Sequence, residues 1–202
     1  MDAGQLVSFG LISIQDMPQK DTLQSKDLAL PSRFRVMLQQ AIRYGVGIGI
    51  LCALWLVGLH LTDNNAFGPK RVLLYFAVPV AVVLSQWSLR RAMPGGKPGL
   101  LRALGMGALT TVMAATLVAL GVIALGKIAG EPALERNRRE MMYLARADRK
   151  AMVKQAGSEE GYNRQMAYWA QLSAQDIAQN DFSKILLLGL IFAVPGGIFF
   201  RE

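Results

Sequence analysis

The chain has 202 residues, 52% of them hydrophobic and 18% charged, and a net charge of +8. In a soluble protein that charge would point to nucleic acid. Here no basic run is interleaved with aromatics, and the apolar residues fall into blocks a bilayer accepts, so Lys and Arg beside them suit anionic headgroups instead. One cysteine, Cys52, excludes an intrachain disulfide, and one histidine, His60, is too few for a histidine-based metal site.

Residues 1–36 are polar and weakly patterned, and they read as a flexible N-terminal tail. The membrane domain is expected over residues 37–202. Its first span, Tyr44–Leu61 (YGVGIGILCALWLVGLHL), carries no formal charge. A cleaved signal peptide would need a shorter leader and a small-x-small site, so the span is retained. Gly45 and Gly49 put a small-xxx-small patch on one face of it. Residues 62–70 (TDNNAFGPK) form a tight connection rich in turn residues. The second span follows at 72–89. Pro79 lies inside it and predicts a kink, and Gln86 and Trp87 mark its far end.

Residues 90–102 (RRAMPGGKPGLLR) hold four basic residues and no acid, in a loop made by Pro and Gly. A short basic loop argues for the cytoplasmic side, which places both termini there too. Counted over whole segments the balance does not favour that side: the inner segments hold ten Lys and Arg and the outer twelve, ten of these in the later insert with its flanks, where acids are interspersed. The third span, 103–126, is the longest apolar stretch, roughly 36 Å of helix against a bilayer core of about 30 Å. Ala103, Gly107, Thr111, Ala115 and Ala119 recur in it at steps of four. They form either a groove for a closely packed helix or simply the small residues common in membrane helices.

Gly130-Glu131-Pro132 then redirects the chain into a polar insert. Strong helix formers run from Glu131 to Gln155, Gly157 is a helix stop, and Ser158 caps a second helix reaching about Gln179. The insert, 131–180, is expected to be an antiparallel helical hairpin outside the membrane. Met141, Met152, Tyr162, Met166, Trp169 and Leu172 give it an apolar face. That face either packs the two arms together or docks a partner, which would be another membrane or envelope protein or a second copy of the chain. The last span, 183–200, is short and carries Pro195-Gly196-Gly197. The fold class is therefore all-α: four transmembrane helices with a helical hairpin between the third and fourth.

Catalytic, cofactor-binding and metal-binding residues are not found, and no cofactor is expected. The spans so drawn hold no Asp or Glu, which removes the usual proton-relay and ion-coupling sites. His60, near the end of a span, reads as an interfacial side chain. The chemistry favours a non-enzymatic accessory or scaffolding protein in contact with membrane lipid and not with nucleic acid. The Gly and Pro interruptions keep open a small oligomeric transporter or channel for a polar or lipidic substrate. A membrane-embedded enzyme acting on lipid would need a catalytic group, which the residues do not offer.

Four stretches carry a resemblance: AIRYGVGIGIL at 41–51, SLRRAMPGGKPGLLRALGMGALTT at 88–111, AGSEEGYNRQMAYW at 156–169 and GLIFAVPGGIFFRE at 189–202. Together they resemble a bacterial membrane family catalogued as domain of unknown function 4199. The resemblance covers roughly residues 37–202. It implies four spans with a hairpin between the third and fourth, and no assigned activity; with the basic loop at 90–102 on the cytoplasmic side, the expected location is the bacterial inner membrane with the hairpin in the periplasm. The chain departs from the family in its longer N-terminal tail and in Pro195-Gly196-Gly197 of the last span.

Overall fold

The computed structural model describes residues 32–93 and 97–201. The tail at 1–31 and the turn at Pro94-Gly95-Gly96 lie outside the described residues. Those described form six α-helices and one 3-10 segment, with no strand among them. Four helical stretches are long and apolar enough to cross a membrane: Phe34–Leu61, Pro69–Ala92, Leu100–Ala147 and Ala174–Phe199. Large apolar side chains stand exposed along all of them, among them Leu54, Leu73, Leu101, Leu120, Leu187 and Phe199. Such a surface belongs in lipid rather than in water. By this measure the chain is a multi-pass membrane protein.

Helix α1, Ser32–Leu61, starts earlier than the expected tail boundary at 36. Residues 33–42 (RFRVMLQQAI) are mostly good helix formers, so the helix continues for turns beyond its apolar block. At its other end the Thr62 hydroxyl donates to the carbonyls of Gly58 and Leu59, at 2.8 and 3.2 Å. Asp63 then turns the chain with a left-handed φ of 55°.

The second span opens as a 3-10 segment, Pro69–Phe76, and becomes α-helical only in α2, Ala77–Ala92. This corrects the expected mid-span kink. Pro79 sits in the first turn of α2, where a backbone N–H would have no helical partner anyway. The proline therefore marks a change of helix type.

Helix α3, Leu100–Ala147, contains the expected break. Gly130 has φ 69° and ψ −172°, conformations natural only to glycine, two residues ahead of Pro132. Helix α4, Arg149–Ala156, ends on Gly157 in the left-handed conformation. Helix α5, Glu159–Ala170, begins with the Ser158 hydroxyl accepting from the Gly161 N–H at 3.0 Å. The turn at Gly157-Ser158 thus forms as its residues suggest, and α4 and α5 pack together there.

The two long arms expected over 131–155 and 158–179 are not continuous. The first is interrupted at Asp148, and the second stops at Ala170. Helix α6 then starts at Ala174 and continues to Phe199, so no boundary falls at 180–183. Its start is set by a capping box: the Ser173 hydroxyl accepts from the Asp176 N–H, and the Asp176 carboxylate accepts from the Ser173 N–H.

Helix α3 is the spine, and α6 packs along it more extensively than α2, α4 or α5 does. Small residues make this possible. A Cβ on Gly107 would come 2.7 Å from the Ala193 methyl, and a Cβ on Gly189 would collide with Thr111. Each step of four up α3, from Gly107 to Thr111, is matched by a step of four down α6, from Ala193 to Gly189. The antiparallel helices meet through their smallest side chains. Gly196 and Gly197 also face protein, against Gln86 and Leu104, so the Pro-Gly-Gly stretch serves packing. Gly45 and Gly49 of α1 press on Met113 and Leu117 of α3. Three clusters of buried side chains line the bundle. One runs from Leu56 and Leu59 to Phe67, Leu125 and Ile177, one centres on Val78, Val82, Ala114, Val118 and Ile185, and one joins Ala41, Leu89 and Met106.

Candidate functional site

An ion pair is buried where the 3-10 segment meets α6. Arg71 Nη2 lies 3.1 Å from Asp181 Oδ1, and the two side chains are 12% and 1% exposed. Arg71 follows Pro69 into the 3-10 segment. Asp181 stands one helical turn from both Ile177 and Ile185, on the buried face of α6. Tyr75 sits beside both charges, one turn further along. Arg71 Nη1 also donates to the Phe67 carbonyl at 2.7 Å. The remaining polar atoms are poorly satisfied. Arg71 Nε, the Tyr75 hydroxyl and both Asp181 oxygens are buried without a well-aligned hydrogen bond. The pair therefore attracts through charge at close range rather than through aligned donors. A cavity of about 10 Å³ opens onto it, lined by Cys52, Leu56, Arg71, Tyr75, Val118 and Asp181. That is the lower edge of the space one water needs.

A larger cavity, about 280 Å³, lies at the insert end of the spans. His60, Asp63, Asn64, Asn65 and Arg136 supply its polar lining, and Phe67, Ala129 and Pro132 supply apolar wall. Arg136 closes one side by donating to the Asp63 carboxylate at 2.9 Å and to the Asp63 carbonyl at 3.0 Å. Asn65 Nδ2 donates to Asn137 Oδ1 at 3.1 Å and to Glu140 Oε2 at 2.6 Å. The left-handed Asp63 is held between these contacts, and non-glycine residues in that conformation are uncommon. Phe67 lines this cavity, and its carbonyl takes the Arg71 hydrogen bond. One backbone turn thus connects the open polar cavity to the buried pair.

A third polar feature lies deeper in the spans. Gln86 is fully buried and donates through Nε2 to the Ala103 carbonyl of α3 at 3.0 Å and the Ala193 carbonyl of α6 at 2.8 Å. It ties three helices together, where the sequence placed it at a span end. Beside it Thr110 Oγ1 donates to Ser85 Oγ at 3.1 Å, and Ser85 Oγ donates to the Val82 carbonyl at 2.7 Å.

The sequence-derived residues divide as follows. Gly107 and Thr111 meet α6, Gly45 and Gly49 meet α3, Ala115 is fully buried, and Ala119 packs at the edge of a cluster. Of the six residues assigned to partner docking, Tyr162 and Leu172 are buried, and Met141, Met152, Met166 and Trp169 are half-buried. Met141 packs against the cluster containing Leu134 and Leu172. The exposed apolar side chains of the insert are instead Tyr143, Leu144 and Tyr168. His60 is exposed and lines the larger cavity. Arg71 and Asp181 were missed as a pair. The readable sign was Asp181 at one-turn spacing between two isoleucines, an acid on an apolar face. Asp181 belongs to the apolar helix Ala174–Phe199 but stands just ahead of the span drawn at 183–200, which holds no acid. Among the described residues no three His, Cys, Asp or Glu side chains converge as metal ligands.

The family model described as Protein of unknown function (DUF4199) matches residues 43–202. No curated protein and no solved structure matches the chain. The match takes in the spanning part of α1 and every later helix, so the chain belongs to the DUF4199 family.

Proposed function

We propose that this is a non-enzymatic accessory or scaffolding protein of the bacterial inner membrane, whose polar helical insert docks another protein of the envelope. The observation that carries the reading is the apolar surface the insert leaves open. Tyr143, Leu144 and Tyr168 are 72%, 53% and 53% exposed, on helices that otherwise carry charges of both signs. Tyrosine is enriched where one protein surface meets another, and two of these three side chains are tyrosines. The short basic loop at 90–102 supports cytoplasmic termini and a periplasmic insert. A photo-crosslinking residue at Tyr143 or Tyr168 in intact cells should capture a distinct protein. Capture of lipid alone from both positions would end the reading. Orientation is checked by single cysteines at Lys97 and Arg164 with an impermeant reagent. Cys52, 2% exposed, leaves the background low.

A second reading is a small transporter or channel acting as an oligomer. The buried Arg71–Asp181 pair favours it, because ionisable groups within spanning helices commonly mark a solute or ion path. Liposomes containing the protein would then show flux above empty liposomes, and Asp181→Asn would abolish it. No flux for any small solute tested would remove this reading.

A further inference from the structure

A crease runs along the membrane-facing side of the protein between α1 and the second span. It consists of two hollows that meet at Leu51. One, about 740 Å³, is walled by Leu51, Leu54, Trp55 and Leu73 and ends at Thr62, Asn64 and Lys70. The other, about 410 Å³, is walled by Leu51, Val80 and Leu84 and ends at Arg43 and Tyr44. Two glycines of α1 leave this room. A Cβ on Gly58 or on Gly47 would meet no atom within 4 Å. The two stand eleven residues apart, three helical turns, and so share one face. Elsewhere α1 uses glycine for the opposite purpose, since Gly45 and Gly49 press directly on α3.

We propose that the larger hollow is a binding site for one anionic phospholipid. An acyl chain lies along Leu51, Leu54, Trp55 and Leu73, over Gly58, and the phosphate sits at Lys70. Three observations support this occupant over a protein partner. The wall is apolar over the stretch that spans the hydrocarbon and turns polar only at the end where the helix stops. That is the polarity profile of a lipid. The polar end carries a positive charge without an acidic partner. Lys70 Nζ is held by the Asn64 side-chain oxygen, and among the described residues no carboxylate pairs with it. The Thr62 hydroxyl in turn accepts from Asn64 Nδ2 at 2.9 Å, which orients the amide toward Lys70. The hollow also follows α1 for three turns, from Leu51 to Thr62, roughly 16 Å, a length that suits an acyl chain lying along the helix. A lysine at a membrane surface favours anionic over zwitterionic headgroups. The proposal rests on neither functional reading given above.

The test is native mass spectrometry of the full chain released from mild detergent. Phosphatidylglycerol or phosphatidylcholine with identical acyl chains is added. The parent should retain one phosphatidylglycerol, in about fivefold preference to phosphatidylcholine, the ratio expected when a single charge contributes about 1 kcal/mol. Lys70→Gln should erase the preference. Gly58→Leu should lose both lipids, because Gly58 lines the hollow and a Cβ there meets no protein atom, so the added side chain takes up the lipid's space. Gly47→Leu, which fills the other hollow, should keep the parent's binding. Equal retention of the two lipids by the parent, or parent-like retention by Gly58→Leu, overturns the proposal. So does a lipid-free dimer formed through this face. If Gly58→Leu does not elute as the parent does, the Lys70→Gln comparison decides alone.

Discussion

Gly189 of α6 lies against Thr111 of α3 so closely that a single methyl group has no room between them. The two helices are held at the distance their smallest residues allow. Gly107→Ala, Gly126→Ala and Gly189→Ala should each destabilise the protein by about 1–3 kcal/mol, the usual cost of overpacking. Gly47→Ala, Gly58→Ala and Gly105→Ala meet no neighbouring atom, and each should gain about 0.5–1 kcal/mol from reduced backbone freedom. Unfolding in mixed detergent followed by tryptophan fluorescence separates the two sets. Equal effects in both would show that α3 and α6 do not meet in this register.

Asp181→Asn should be among the most damaging polar substitutions, at about 3–5 kcal/mol, because it leaves the Arg71 guanidinium buried without its countercharge. The double variant Arg71→Gln with Asp181→Asn should be less destabilised than Asp181→Asn alone. Tyr75→Phe should stay within about 1 kcal/mol of the parent, since the hydroxyl it removes has no aligned hydrogen bond to lose. The sign of the Arg71–Asp181 coupling, measured as a double-mutant cycle, is the decisive quantity. A cycle near zero would mean that the pair contributes nothing to the fold.

For Gln86, packing should outweigh hydrogen bonding. Interhelical hydrogen bonds in membranes average only about 0.6 kcal/mol, so Gln86→Met, which keeps the volume, should cost roughly 1 kcal/mol. Gln86→Ala opens a void between Gly107 and Gly196 and should cost about 2–4 kcal/mol. Similar losses for both variants would show that the hydrogen bonds dominate.

The start of α6 depends on one local device. Ser173→Ala removes the side-chain half of the capping box and should cost about 0.5–2 kcal/mol. The loss should show as faster amide exchange over residues 172–178, with the middle of α6 unchanged. Uniform acceleration along the whole helix would contradict it.

The spans were legible because their signal is bulk apolarity, which does not depend on what packs against what. The breaks at Gly130 and Gly157 were legible for a local reason. Each needs a backbone conformation that other residues resist, and Pro132 and Ser158 supply the matching neighbour. The start of α6 could have been read from Ser173-Ala-Gln-Asp176, a serine with an acid three residues on. Helix formers on both sides of it mask that signal. The 3-10 segment was not legible, since nothing in VLLYF separates it from α-helix. The Arg71–Asp181 pair was beyond reach for another reason. The two residues meet only through the tertiary fold, although Asp181 alone betrayed itself on an apolar face. The six apolar residues of the insert show the same limit. An amphipathic stripe states that something covers it, and here much of that cover comes from the protein itself.

Helix α6 has 26 residues, roughly 39 Å, and carries its one proline, Pro195, only in its last turns. Just ahead of its cap, the Leu172 carbonyl accepts from Arg138 Nε at 2.9 Å. A displacement of the insert at Arg138 is therefore applied to one end of a continuous helix whose other end, Phe199, lies roughly 37 Å away. The unbroken run from Ala174 to Ile191 thus links the contact at Arg138 to the packing of Gly189 on Thr111 without an intervening loop.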